Sequence, residues 1–300
     1  MRILLCVDDD SLYDALVDAL DSTLAVGSED EVLVAHVVAT LRWLPLRGND
    51  SGWAGTERGI LQKVDDFLER TVDVVTGKGM RAEALRLEGD VASELLTAGN
   101  EREVDVIVAG AIGQTRSQDF LVGSVAEKLM AVSERNLLLA RTPTTSPSKD
   151  LRVVVAVDDT DASDQAIESF AGKCRVDNAA IEIVHVIQVP PPRFDAAPEG
   201  DQTKSSIPPI VRERADHAVN RANEIFSSRG LHPSLALRRG DPAREILAAA
   251  RSFEADLVVV GRGERRTGTR LAGWRGTVTK RVAQHSPCSV FIGASSGSST

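Results

Sequence analysis

Two rhythms alternate along this chain. Short apolar, β-branched runs of the kind that suits a strand covered on both faces are separated by longer stretches whose apolar residues recur at helical spacing. Ile3 to Val7, Val32 to Val38, Ala82 to Leu87, Val104 to Ala109 and Leu137 to Ala140 are runs of the first kind. Between them, Leu12, Leu16, Leu20 and Leu24 mark one amphipathic helix. Ile60, Leu61, Val64, Phe67, Leu68, Val72 and Val75 mark a second, which begins near Thr56 and is stopped by Gly77 or Gly79. A third runs from about Val91 to Glu101, and a fourth opens at Gly123-Ser124 with Val125, Leu129 and Val132 on one face. Residues 39 to 55, glycine-containing and with two Trp, read as a long loop. Strand and helix alternating five times predict an α/β fold, a doubly wound five-stranded parallel sheet with right-handed crossovers.

After Ala140 the pattern breaks and then begins again. Thr142 to Asp150, TPTTSPSKD, is polar, proline-containing and aperiodic, as a connection between compact units is. Domains are therefore expected at 1–143 and 151–294, with 144–150 as linker and 295–300 as a flexible tail. Asp158 answers Asp8, His185 answers His36, Gly240 answers Gly89 and Gly261 answers Gly110, at offsets of 150, 149, 151 and 151 residues. So constant a spacing over the whole chain marks an internal duplication.

The stretch with the most chemistry is Val104 to Val125, VDVIVAGAIGQTRSQDFLVGSV. Gly110 ends a buried strand, Gly110 and Gly113 allow tight turning and close approach to a ligand, and Gly123-Ser124 starts a helix. Backbone N–H groups, a helix N-terminus and a hydroxyl converging on one loop suit a phosphate chain. The spacing is neither that of the P-loop, whose Gly-Lys-Ser/Thr is absent, nor the dinucleotide G-x-G-x-x-G.

Composition narrows the partners. Three hundred residues and 42% apolar content supply two ordinary cores, and a net charge of −9 disfavours binding a polyanion such as nucleic acid over a broad surface. Cys6, Cys174 and Cys288 are too few and too scattered for a disulfide framework or a metal cluster. Three aspartates follow the first apolar run at once, and no apolar run approaches about 18 residues, so no signal peptide or membrane insertion is expected and the location is expected to be cytoplasmic. His36 and His185 lie in strands with no paired carboxylate or serine motif nearby and read as hydrogen-bonded structural residues. No triad, metal-ligand cluster or carboxylate pair stands at a readable spacing, which favours binding over catalysis.

These residues resemble the universal stress protein family in its tandem two-domain form. The resemblance covers nearly all of 1–143 and 151–294 and rests on the strand-end aspartates of CVDDD and AVDDTDAS, on Val37 and Val186 of the HV dipeptides, on the E/R-G-D segments, and on Gly110-x-x-Gly113-x9-Gly123-Ser124. It implies the adenine-nucleotide alpha-hydrolase-like fold, strand order 3-2-1-4-5 in each half, fifth strands pairing the halves about a pseudo-two-fold axis, and ATP as the ligand, with Mg on its phosphates. Carried over by position, Asp8 and Val37 lie around adenine and ribose, and Gly110, Gly113, Gly123, Ser124 and Val125 hold the triphosphate. Asp158, Val186, Gly261, Gly276 and Thr277 are weaker counterparts in the second half. The implied role is that of a nucleotide-dependent regulatory or stress-response protein with an unidentified protein partner. A slow ATPase or self-phosphorylating enzyme and a nucleotide-free interaction module are the alternatives, and a homodimer of whole chains is left open.

The two halves differ where the ligand would sit. Gly261 is followed by Arg262-Gly263, and Gly276-Thr277 comes fifteen residues after Gly261, against thirteen between Gly110 and Gly123. The longer loop carries Arg262, Arg265, Arg266, Arg270 and Arg275, which reads either as a solvated loop or as an anion site built from guanidinium groups. The N-terminal site is expected to bind the more tightly.

Overall fold

The computed structural model describes residues 1–8, 13–39, 51–111, 122–141, 150–188, 208–263 and 277–294, with 51–57 and 277 described by backbone alone. The first half runs β1 (Arg2–Cys6), α1 (Tyr13–Thr23), β2 (Glu31–Ala39), α2 (Ser51–Gly77), β3 (Arg81–Gly89), α3 (Val91–Glu101), β4 (Val106–Gly110), α4 (Ser124–Val132) and β5 (Asn136–Ala140). The second repeats it as β6 (Arg152–Val157), α5 (Asp161–Lys173), β7 (Ala180–Gln188), α6 (Pro209–Ser227), β8 (Ser234–Gly240), α7 (Pro242–Ser252), β9 (Leu257–Val260), α8 (Thr277–His285) and β10 (Ser289–Ile292).

All ten strands form one sheet in the order β3-β2-β1-β4-β5-β10-β9-β6-β7-β8, so each half has the expected order 3-2-1-4-5. Every neighbouring pair is parallel except β5 with β10, which is antiparallel with Val290 opposite Leu139, Phe291 opposite Leu138 and Ile292 opposite Leu137. The fifth strands thus meet as expected. The inner strands are buried on both faces, which is why their sequences are continuously apolar rather than alternating: Ile3, Leu4 and Leu5 are all fully buried, as are Val106, Ile107 and Val108. One core lies under α1, α2, α5 and α6, and the other under α3, α4, α7 and α8, and each takes residues from both halves.

The seam between the halves is made of exchanges. By strand register, Asn136 opposite Val106 and Ser289 opposite Leu257 occupy matching places. The Asn136 side chain accepts from Ala294 N at 2.8 Å, and the Ser289 hydroxyl accepts from Arg141 N at 3.1 Å. At the ends of α1 and α5, Ala25 N donates to Lys173 O at 2.9 Å and Arg175 N to Thr23 O at 2.8 Å, with Leu24 bridged to Cys174. Phe291 packs edge-on against Phe170 at 6.1 Å, carrying the seam into the core of the second half.

Three details depart from the sequence pattern. The second helix starts at Ser51 rather than near Thr56. In α4 the buried face is Ala126, Leu129 and Met130, while Val132, the last residue of the helix, is 57% exposed. The sheet's free edges also differ. In β3, Arg86 binds both carboxylate oxygens of Asp65 on α2 at 2.6 Å, whereas the matching position in β8 is Leu237, exposed together with Leu235. Residues 40–50 and 189–207, most of the two long loops, lie outside the described residues.

Both strand histidines are structural. His36 Nδ1 meets Val7 O and His185 Nδ1 meets Val157 O, each at 3.0 Å, tying the end of the first strand of each half to the strand beside it. Desolvation pushes the His185 imidazole below its ordinary value, with the Val157 carbonyl acting in the opposite direction.

Two outcomes follow. Phe291→Ala should cost about 3–5 kcal/mol in urea unfolding of the whole chain, because the ring is fully buried at the seam. Because His185 is harder to protonate when folded, its contribution is present above the unfolded histidine value of about 6.5 and is lost as pH falls through the lower folded value. The melting temperature should therefore drop between pH 7 and pH 5, and His185→Gln should show a smaller drop.

Candidate functional site

Ligands of open α/β sheets settle beyond the carboxyl ends of the strands where the winding reverses. That place lies between β1 and β4 in the first half and between β6 and β9 in the second, since these pairs adjoin while their helices cover opposite faces.

In the first half, β1 delivers Asp8, which is exposed, and β2 delivers Val37, 7% exposed, alongside it. Gly110 is the last residue of β4. The chain re-enters at Gly123, whose N–H donates to Ala111 O at 2.8 Å while Ala111 N donates to Ala140 O at 2.9 Å, so the start of α4 is pinned beside the ends of β4 and β5. Gly123 caps α4 at φ −65° and ψ 155° with no side-chain bond to the helix, an extended conformation open to any residue. Ser124 is exposed and Val125 half-buried. Asp8, Val37, Gly110, Gly123, Ser124 and Val125 are thus on elements that meet at the switch point, while Gly113 lies outside the described residues.

In the second half the equivalent place is a cleft of about 250 Å³. Its apolar walls are Val184, Val186, Ile246 and Val260, and its polar side is Asp158, Thr160, Ser163, Gly261, Gly263 and Thr279. Asp158 is oriented by its neighbours: the Thr160 hydroxyl donates to its carboxylate at 2.5 Å, and Asp158 N donates to the Ser163 hydroxyl at 3.1 Å. The Thr279 hydroxyl donates to Gly261 O at 2.6 Å and ties the first turn of α8 to the end of β9. Gly261 is needed for space, since a Cβ there would stand 3.0 Å from Ala162 O. Of the weaker sequence candidates, Asp158, Val186 and Gly261 line the cleft; Thr277 opens α8, and Gly276 lies outside the described residues. Gly263, the displaced second glycine of the sequence pattern, also lines the cleft, whereas Thr160, Ser163 and Thr279 were not singled out from sequence. Thr160 and Ser163 stand within AVDDTDAS, where the spacing Thr160-x-x-Ser163 is a helix-cap pattern that could have drawn attention.

One sequence expectation changes here. Arg262 does not face solvent or an anion within the loop: it is 1% exposed and donates to Gly293 O at 3.2 Å, Met130 O at 3.0 Å and Arg135 O at 2.6 Å, the last two in the other half. Arg265, Arg266, Arg270 and Arg275 lie outside the described residues. The E/R-G-D segments, which carried part of the resemblance, serve the architecture. Gly89 and Gly240 sit at φ 150° and 143°, and Asp90 and Asp241 cap α3 and α7 by accepting from Ser93 N and Arg244 N. The same aspartates reach across to Lys128 on α4 at 3.2 Å and Arg281 on α8 at 2.7 Å.

Chemical groups for catalysis are scarce. Burial pushes the Cys6 thiol up to about 12 and Cys288 to about 11, and Cys174 is raised further, so none is a thiolate nucleophile near neutrality. Among the described residues no group of three or more His, Cys, Asp or Glu is placed to hold a metal ion, and no helix is long and apolar enough to cross a membrane. What the site offers is an apolar slot, a carboxylate able to accept from hydroxyls, and strand-end glycines facing a helix start.

Comparison with known proteins agrees with the fold. The chain is 31% identical over 75 residues to the universal stress protein YxiE of Bacillus subtilis, a match spanning 25% of this chain and 51% of that one. It is 24% identical over 161 residues to the stress response protein NhaX of the same organism, covering 47% of this chain and 96% of NhaX. The crystal structure of a universal stress protein from Archaeoglobus fulgidus superposes with a TM-score of 0.64 at 20% identity, over 98% of this chain and 96% of that one, which establishes the shared fold. The model of the universal stress protein family matches residues 1–141 and again residues 151–292, and the chain therefore belongs to that family, in tandem two-domain form.

Proposed function

We propose that this protein binds an adenine nucleotide, ATP with Mg²⁺ carried on its phosphates, and that occupancy regulates its contact with a partner protein. The observation that carries the proposal is the convergence, at each switch point, of a strand with a glycine at or just past its end, a strand with an aspartate just past its end, and the start of a helix. The fit can be followed in the second cleft. Val184, Val186, Ile246 and Val260 form a slot for a flat, apolar base, and Asp158 is set to accept from sugar hydroxyls. Gly261, Gly263 and the first turn of α8 leave room and backbone donors for phosphate. In the first half, Asp8, Val37, Gly110, Gly123, Ser124 and Val125 would take the corresponding roles. With no carboxylate cluster among the described residues, Mg²⁺ would be held by phosphate and water, as that ion commonly is.

A binding role is preferred to catalysis because no activated nucleophile stands at the site among the described residues, while the Asp158 carboxylate accepts from the Thr160 hydroxyl and its N–H donates to the Ser163 hydroxyl, with no second acid paired to it. Intact ATP retained through purification supports regulation; steady release of phosphate at more than trace rates would shift the assignment to a slow ATPase or self-phosphorylating protein.

Because Val can adopt the backbone angles of Gly123, Gly123→Val should leave thermal unfolding largely unchanged while its side chain displaces the phosphates. Calorimetric titration of that variant should show loss of ATP binding by the first half. In the unaltered chain the stoichiometry at low micromolar nucleotide should be nearer one than two. Loss of two backbone contacts through the shifted glycine and lengthened loop weakens the second site by about a hundredfold. Undiminished affinity in Gly123→Val would remove the α4 start from the site, and two equal sites would refute the asymmetry.

A further inference from the structure

We infer that Arg262 is a positioning residue for the nucleotide site of the opposite half, so that the contents of the second cleft set the affinity of the first; this rests on the nucleotide binding proposed above. The neighbours of Arg262, Gly261 and Gly263, line the second cleft, while its own side chain turns away into the seam and is buried there. Its guanidinium holds Met130 O in the last turns of α4, Arg135 O just beyond that helix, and Gly293 O after β10. A cation at this end of α4 is matched to the negative end of the helix dipole and to carbonyls that lack helical partners.

α4 is nine residues long, a rod of about 13 Å at about 1.5 Å per residue, and its other end is the Gly123-Ser124 start. One arginine therefore joins the backbone of the second cleft to the far end of the helix whose first turn faces the first site. A second tie runs parallel to it, from Lys280 on α8 to Glu127 on α4 at 2.8 Å. The Thr279 hydroxyl links the first turn of α8 back to Gly261. Any ligand that fixes Gly261 to Gly263 fixes where the guanidinium sits, and with it the axial and angular setting of α4. A displacement of about 1 Å at the start of α4 misaligns backbone donors on a phosphate, which is of the order of a tenfold change in affinity. By linkage, a nucleotide in the first half alters binding in the second cleft by the same factor.

The opposite clasp provides an internal control. Arg141 donates to Ala283 O at 2.8 Å and Gln284 O at 3.3 Å, holding the end of α8, but it arises from the end of β5 and not from a phosphate loop. Arg141→Met should therefore leave the first site unaffected.

The test is calorimetric titration of the full chain with ATP, in which the binding phase abolished by Gly123→Val is assigned to the first half. Arg262→Met should weaken that phase about tenfold although the substitution lies in the other half, and Arg262→Lys should weaken it less; Arg141→Met should leave it within twofold. Circular dichroism is recorded for each variant, and if Arg262→Met does not fold, Arg262→Lys carries the test. If Arg262 merely fastens the halves, its variants will melt at lower temperature with first-half affinity unchanged, which overturns the inference. Equal weakening by the Arg141 and Arg262 variants overturns it too. Absence of any ATP binding in the unaltered chain is a separate result: it defeats the nucleotide proposal and removes the ground of this one.

Discussion

The antiparallel pairing of Leu137, Leu138 and Leu139 with Ile292, Phe291 and Val290 makes ten strands one sheet. Each of these short, fully buried strands would otherwise be an apolar sheet edge with unpaired backbone groups. Pairing them satisfies those groups and makes both cores continuous across the halves. It also brings the C-terminal ends of α4 and α8 within reach of arginines from the opposite half. Without the seam, Arg262 would lose both the cover of the other half and the Met130 and Arg135 carbonyls that accept from it.

Within each half, the residues shared between repeats separate into two kinds. The glycine-aspartate pairs at Gly89 and Gly240 build turns that need positive φ and cap α3 and α7, and the histidines brace the ends of neighbouring strands. The strand-end aspartates, Gly110 at the end of β4 and Gly261 just past β9 remain at the mouth of each switch point, where architecture leaves them less to do. Repetition alone therefore marks residues needed twice, and only their placement separates scaffold from candidate ligand contact.

Much of the fold was legible because its causes are local. Doubly covered strands must be apolar throughout, so Ile3 to Val7 and Val104 to Ala109 announce themselves, and the amphipathic spacing from Ile60 to Val75 marks α2. The offset of about 150 residues revealed the duplication, and the resemblance it supported gave the strand order. What could not be read depended on contacts distant in sequence. Val132 has helical spacing but is exposed at the end of α4, and Arg262 belongs by composition to a basic loop but by contact to the Met130 and Arg135 carbonyls more than a hundred residues away. Thr279 carries no periodic signal and Ser163 only a helix-cap spacing; their roles at the cleft emerge when α8 and α5 are set beside it.

Arg262 also shows what a single continuous chain permits. Its counterpart after Gly110 is Ala111, which is small and 1% exposed, and the clasp on α8 comes instead from Arg141 at a position unmatched by register. In an assembly of two identical chains every substitution is made on both sides of the axis, so a loop that takes up a clasping arginine must do so twice. Here the axis is only approximate, and one loop has become a fastening while the other keeps its short glycine spacing. Joining the halves end to end turned a symmetric pair into two different components.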